Sequence, residues 1–218
     1  MVSKIPGVGL DSEATGSLDV LVTVVDETED LGDQTNESYA LKLGADGKGE
    51  IHAQTVFGAL HALESLSQLV ESVASSQLRV RGLPWDVVDG PRFGHRGILI
   101  DTSRHWLSLP SLRTHIDAMS YSKLNLLHWH IVDFQSFPLI SEAVPNLHKG
   151  AYSAAESYSL SDIKDIVAYA KARGVRVMVE LDTPGESFGV DSHGPLIIHS
   201  ISPTKDTRGR GCLASPRS

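Results

Sequence analysis

The sequence has one cysteine, Cys212, in 218 residues. It can form no intrachain disulfide, and cysteine usage says little about its redox compartment. It has no apolar run near the roughly 20 residues a membrane helix needs, so no membrane span is expected. The opening MVSKIPGVGL lacks the apolar stretch of a signal peptide. Two readings of that opening are carried forward: an intracellular chain, or one whose true N-terminus lies further upstream. Lys/Arg clusters with interleaved aromatics are also missing, and the formal net charge is −8. Phosphate binding wants a basic face, so no nucleic-acid partner is expected, and a small or neutral ligand is.

Hydrophobic residues make up 41% of the chain and charged residues 21%, enough apolar material for one ordinary core or one and a half small ones. One glycosylation triplet, Asn36-Glu37-Ser38, would suit a secreted protein. Between residues 17 and 52, Leu18 to Val25 and Ser38 to Leu43 cluster β-branched residues and alternate in polarity before the turn Asp46-Gly47, as strands do. The acidic stretch Asp26 to Asp33 reads as a solvated loop. Thr55 is a good N-cap for a helix whose Val56, Ala59, Leu60, Leu63, Leu66 and Val70 recur at helical spacing and predict one buried stripe. Strands followed by a long amphipathic helix make a small α+β unit, expected over residues 1–87.

After a connection through Pro84 and Pro91 the pattern becomes strand, helix, strand, helix, strand. Gly97 to Ile100, ending in Asp101, is a short apolar run expected to be buried on both faces. Leu112, Ile116 and Met119 mark one side of a helix whose first turn suits Ser108 and Pro110. Asn125 to Val132 predicts a second strand, Ser161 to Arg173 a helix stopped by Gly174, and Val175 to Leu181 a third strand. Three parallel strands with helical crossovers open either a (β/α)₈ barrel or a doubly wound sheet, and periodicity alone separates neither. Residues 191–218 reverse the charge to +2, with three prolines, three glycines and no sustained period. That profile predicts no fixed structure.

Charged residues stand at all three strand ends: Asp101-Thr102-Ser103-Arg104-His105, His128-Trp129-His130-Ile131-Val132-Asp133, and Glu180-Leu181-Asp182-Thr183-Pro184-Gly185. In barrels and open α/β sheets the C-terminal strand ends face the ligand, so these three predict one pocket. His128 and His130, two apart on a strand, could offer two imidazoles to a metal, but no third donor of suitable spacing is evident, and no metal is expected. Trp106 and Trp129 could stack on a sugar, although tryptophans beside buried strands are more often core.

The stretch His95-Arg96-Gly97-Ile98-Leu99-Ile100-Asp101-Thr102-Ser103-Arg104-His105, with Lys123-Leu124-Asn125, His128-Trp129-His130, Ser136-Phe137-Pro138 and Asp182-Thr183-Pro184-Gly185, resembles the family 20 β-N-acetylhexosaminidases. Thr55-Val56-Phe57-Gly58-Ala59-Leu60 and Glu64-Ser65-Leu66-Ser67-Gln68-Leu69 resemble the helix of that family's leading domain. The resemblance covers roughly residues 18 to 190 and implies a small α+β domain (1–87), the first three strands of an incomplete (β/α)₈ barrel (88–190), and a tail outside the family pattern (191–218).

It implies a glycosidase that removes terminal β-linked N-acetylhexosamine with retention, using the substrate's own acetamido oxygen as nucleophile, without metal or cofactor. Full-length members would be lysosomal, vacuolar or secreted, and homo- or heterodimeric. Arg104 matches the arginine that holds the hydroxyls of the terminal sugar, where a fixed fork of donors gives bidentate recognition. Asp133 matches an aspartate that supports the general acid through a histidine. That histidine should follow Asp182-Thr183-Pro184-Gly185, but Gly185-Glu186-Ser187-Phe188-Gly189 reads as the same segment two residues short. The catalytic Asp-Glu pair of a His-x-Gly-Gly-Asp-Glu motif is not in these 218 residues. Their only Asp-Glu dipeptide, Asp26-Glu27, sits in the acidic loop. The expectation is a family member that is itself inactive, or a non-catalytic partner of a full-length subunit.

Overall fold

The computed structural model describes the backbone of residues 2–10, 14–74 and 77–182, with the side chains of 18–72 and 78–182. The motif Thr183-Pro184-Gly185 and the segment 191–218 lie outside the described residues.

Alternating polarity builds the first unit. Strands β1 (Val2–Leu10), β2 (Ala14–Asp26), β3 (Tyr39–Leu43) and β4 (Lys48–Thr55) lead into helix α1 (Val56–Leu69), then β5 (Val70–Ala74), β6 (Gln77–Val80) and β7 (Trp85–Asp89). They form one seven-stranded sheet in the order β5-β6-β1-β2-β4-β3-β7. Leu18, Val20, Leu41, Leu43, Ile51 and Ala53 point to one face, where Ala59, Ala62 and Leu66 of α1 cover them. Thr55 caps α1 by accepting from Gly58 N at 3.3 Å.

The buried face of α1 differs from the expected stripe. Phe57, Gly58, Ala59, His61, Ala62 and Leu66 are buried, whereas Leu60 and Leu63 are exposed. Gly58 explains the rotation: a Cβ there would meet the Ser38 carbonyl oxygen at 2.6 Å, so the helix lies on its glycine side against the chain that leads into β3. Strands β1, β5, β6 and β7 were not legible. Pro6 and Gly7 sit where the β1 register shifts between Ile5 and Val8, a bulge that breaks the alternation a reader looks for. β7 lies at the sheet edge between Pro84 and Pro91, which had read as a connection, and it crosses the expected boundary at residue 87.

The second unit is β8 (Gly97–Asp101), α2 (Leu109–Tyr121), β9 (Leu126–Val132), α3 (Leu160–Lys171) and β10 (Arg176–Leu181). Its strands are parallel, in the order β10-β9-β8. Ser108 caps α2, and Leu112, Ile116 and Met119 are its buried residues. A capping box between Ser159 and Asp162 starts α3, and Gly174, at φ +73°, ends the turn that follows. Ile98, Ile100, Leu127, Trp129, Ile131, Val177 and Val179 pack with these helices in a second core.

The opposite face is set by register: Leu99 pairs with His128 and Met178, and Asp101 with His130 and Glu180. This corrects the expectation for β8, which is buried on one face only. Leu99, turned away from the helices, is 56% exposed.

Polar contacts join the units. The Arg96 guanidinium lies 2.7 Å from the buried Glu37 carboxylate. Asn125 Nδ2 donates to Glu37 Oε1 at 3.3 Å and to the Gly94 carbonyl at 2.9 Å. Lys123 Nζ donates to Ser65 Oγ at 2.7 Å, Tyr39 OH at 2.8 Å and Asp89 Oδ2 at 3.1 Å.

Candidate functional site

At the end of β8 the chain turns on its own carboxylate. Asp101 Oδ1 accepts from Ser103 N at 3.0 Å and Arg104 N at 3.1 Å. Buried Thr102 and Ser103 pin that turn to the neighbouring strand end. Thr102 N donates to the His130 carbonyl at 3.0 Å, Thr102 Oγ1 accepts from Trp129 Nε1 at 2.8 Å, and Ser103 Oγ donates to the Ser136 carbonyl at 2.8 Å. Arg104 is thereby aimed across the strand ends. Its Nη1 reaches Asp101 Oδ2 at 2.7 Å and its Nε reaches Gln135 Oε1 at 2.9 Å. Its Nη2 pairs with Asp133 Oδ2. A planar guanidinium held from three directions is fixed in orientation, yet its side chain stays 43% exposed.

Asp133, following β9, is 2% exposed. Its Oδ1 accepts from Phe134 N, and its Oδ2 takes both Arg104 and His130 Nε2, the latter at 2.8 Å. The other ring nitrogen of His130 lies 2.8 Å from Glu180 Oε2 on β10, and His128 Nε2 donates to the same oxygen at 2.6 Å. One chain of contacts therefore runs from β8 to β10 through Asp101, Arg104, Asp133, His130 and Glu180.

Charge follows geometry. Burial works against the Asp101 charge, but side-chain and backbone hydrogen bonds from Arg104 outweigh it and hold the carboxyl below its usual range. The hydrogen bond from His130 holds Glu180 low in the same way, against burial and with help from His128.

The three strand ends meet as their placement in the sequence suggested, and Arg104 and Asp133 meet directly. His128 and His130 do face one side, but they converge on Glu180. Ligand atoms of His130, Asp133 and Asp182 lie within 4.8 Å of one another, a trio that leaves out His128. Both His130 nitrogens are already directed at carboxylates and Asp133 Oδ2 is shared with Arg104, so a metal would have to displace a guanidinium to gain a ligand. Trp129 is fully buried, in the core. Trp106 is half-buried and stacks on Tyr158, ring centroids 5.8 Å apart. Sequence reasoning did not assign roles to Gln135 or Glu180, nor to His130 beyond the metal check. The signal for His130 and Glu180 was there, in a histidine pair two apart beside a strand ending in a glutamate, but using it requires the register of β9 against β10.

A family model described as the catalytic domain of glycosyl hydrolase family 20 matches residues 93–212, and one described as beta-acetyl hexosaminidase like matches residues 9–69. The first match runs past Val190 into the segment that composition had set apart from the family pattern. Beta-hexosaminidase 1 of Arabidopsis thaliana is 46% identical over 177 residues, 77% of this chain and 33% of that protein. Beta-hexosaminidase subunit B2 of Dictyostelium discoideum is 43% identical over 84% of this chain and 33% of its own length. The chain thus spans about a third of the curated relatives it matches. Among solved structures, a chitobiase from Flavobacterium johnsoniae superposes with a TM-score of 0.68 at 33% identity, over 76% of this chain and 24% of that one.

Proposed function

Since the chain belongs to glycosyl hydrolase family 20, we propose that it carries the sugar-recognition side of a β-N-acetylhexosaminidase site, the whole enzyme removing terminal non-reducing N-acetyl-β-D-hexosamine from glycans and glycoconjugates. The observation that carries this reading is Arg104, half-exposed and fixed by Asp101, Asp133 and Gln135 at the strand ends. A preoriented fork of N–H donors suits vicinal sugar hydroxyls and costs little ordering when the sugar arrives. Asp133 is the supporting carboxylate of the same site, and the three parallel strands are the opening of a (β/α)₈ barrel that follows a small α+β domain. Relatives named as subunits support a homo- or heterodimer for the whole protein.

Proton donation and stabilisation of the cationic intermediate fall to an Asp-Glu pair that these 218 residues do not contain in the required motif. A positioned general acid alone contributes about 10²–10⁴-fold. The polypeptide of these residues is therefore expected to bind N-acetylglucosamine without hydrolysing a chromogenic β-N-acetylglucosaminide.

Titration with N-acetylglucosamine tests the reading. Arg104→Ala should weaken binding about 10- to 100-fold, the worth of hydrogen bonds to a charged group, and Arg104→Lys should recover only part of it. Equal affinity in wild type and Arg104→Ala would sink it.

A further inference from the structure

His130 faces a carboxylate through each of its ring nitrogens. Nδ1 is 2.8 Å from Glu180 Oε2 and Nε2 is 2.8 Å from Asp133 Oδ2, and the residue is 7% exposed. A neutral imidazole has one donor and one acceptor, so one of these contacts would set a lone pair against a carboxylate oxygen where water barely reaches. Only the imidazolium donates in both directions.

We propose that His130 is a positioning residue, held as an imidazolium between Asp133 and Glu180, whose charge keeps Asp133 turned onto the Arg104 guanidinium in the proposed sugar site. The surroundings ask for that charge. Among the described residues, Asp101, Asp133, Glu180 and Asp182 bring four carboxylates to the strand ends against the guanidinium of Arg104, with His128 on Glu180. A second fixed cation offsets part of that excess and leaves Arg104 less strongly drawn away from a ligand. Burial opposes the ring charge, but the hydrogen bonds to Glu180 and then Asp133 outweigh it, so the pKa of His130 is raised. The link to sugar rests on the reading of Arg104 given above; the state of the ring does not.

The test is long-range proton–nitrogen NMR of the ¹⁵N-histidine-labelled 218-residue chain, with His130 assigned by the signal lost in His130→Gln. Both ring nitrogens should be protonated at neutral pH, with a titration midpoint above the roughly 6.5 of an unperturbed histidine. Glu180→Gln and Asp133→Asn should each lower that midpoint. If His130→Gln does not fold, the ring is identified as the one that responds to both of these changes, because His128 contacts Glu180 alone of the two. An unprotonated ring nitrogen at neutral pH, or a midpoint indifferent to Glu180→Gln, overturns the proposal.

N-acetylglucosamine affinity should also fall as pH rises through the measured midpoint, a dependence that a merely structural histidine would not impose. Affinity that stays constant across it overturns the positioning role. Failure of the Arg104→Ala test would instead sink the sugar-site reading while leaving the protonation state of the ring intact, so the two failures are distinguishable.

Discussion

The two units bury their apolar residues by different means. In the first, one long helix covers one face of a seven-stranded sheet, and every strand but the two at the edges has neighbours on both sides. In the second, two helices cover one face of three parallel strands, and the other face carries Leu99, His128, Met178 and Glu180 toward solvent, with both outer strands at an edge. Edges and an uncovered face are tolerable where they carry chemistry, but they supply little stabilisation. The comparison predicts that the first unit is the more stable, while the proposed site lies in the second.

The largest expected effect comes from attacking the cores separately. Trp129→Ala removes the centre of the second core, where the ring is fully buried and edge-on to Tyr158 at 5.1 Å. It should cost about 3–5 kcal/mol. Hydrogen exchange should then show lost protection in α2, α3 and β9 while β3 and β4 keep theirs. Equal loss in both units would mean that they fold as one and would break the comparison.

Next is the junction. Glu37→Ala strands the Arg96 guanidinium, 18% exposed, without its anion, and breaking such a pair costs about 3–5 kcal/mol when fully buried and less here. Both units should lose stability together, seen as a lower melting temperature in variants that keep each core intact. If only the first unit responds, the contact serves its own loop and not the joint.

The smallest effect, and the sharpest in sign, is that of pH. His130 has a raised pKa, so its contribution is complete below its unfolded value and is lost as pH rises through the folded one. His61, buried in α1 and facing the charges of Glu37, Arg96, Lys123 and Asp89 at the junction, has a pKa lowered chiefly by burial. The linkage there runs the other way: stability is present above the unfolded value and is lost as pH falls through the lower folded one. Mild alkali should therefore loosen the second unit, and mild acid the contact between units. Thermal scans of Glu180→Gln and His61→Gln across that range should each flatten one limb only.

What could be read from the sequence follows from how local each signal is. The α2 cap and its three core residues were legible because a helix announces its face within its own residues. Of the proposed site, Arg104 and Asp133 stand in motifs that a single sequence shows. The face of α1 differs from its periodicity because its rotation depends on Ser38, twenty residues upstream of Gly58 and in the loop that leads into β3. The His130 bridge likewise needs the pairing of Glu180 with His130 across two strands fifty residues apart. Single-sequence periodicity carries no information about register between distant strands.

Lys123 shows what such crowding of duties does to the freedom of a position. Its backbone lies in the left-handed region, at φ +54°, where glycine or asparagine would be at ease. Its ammonium meanwhile holds Ser65, Tyr39 and Asp89 of the other unit. Glycine would relieve the turn and release the junction, and arginine would keep the charge while leaving the turn strained and fitting a planar fork where a point charge sits. Residue exchanges that look mild by size or charge are thus disfavoured here for unlike reasons, and the set of acceptable amino acids narrows without the side chain touching the proposed sugar site.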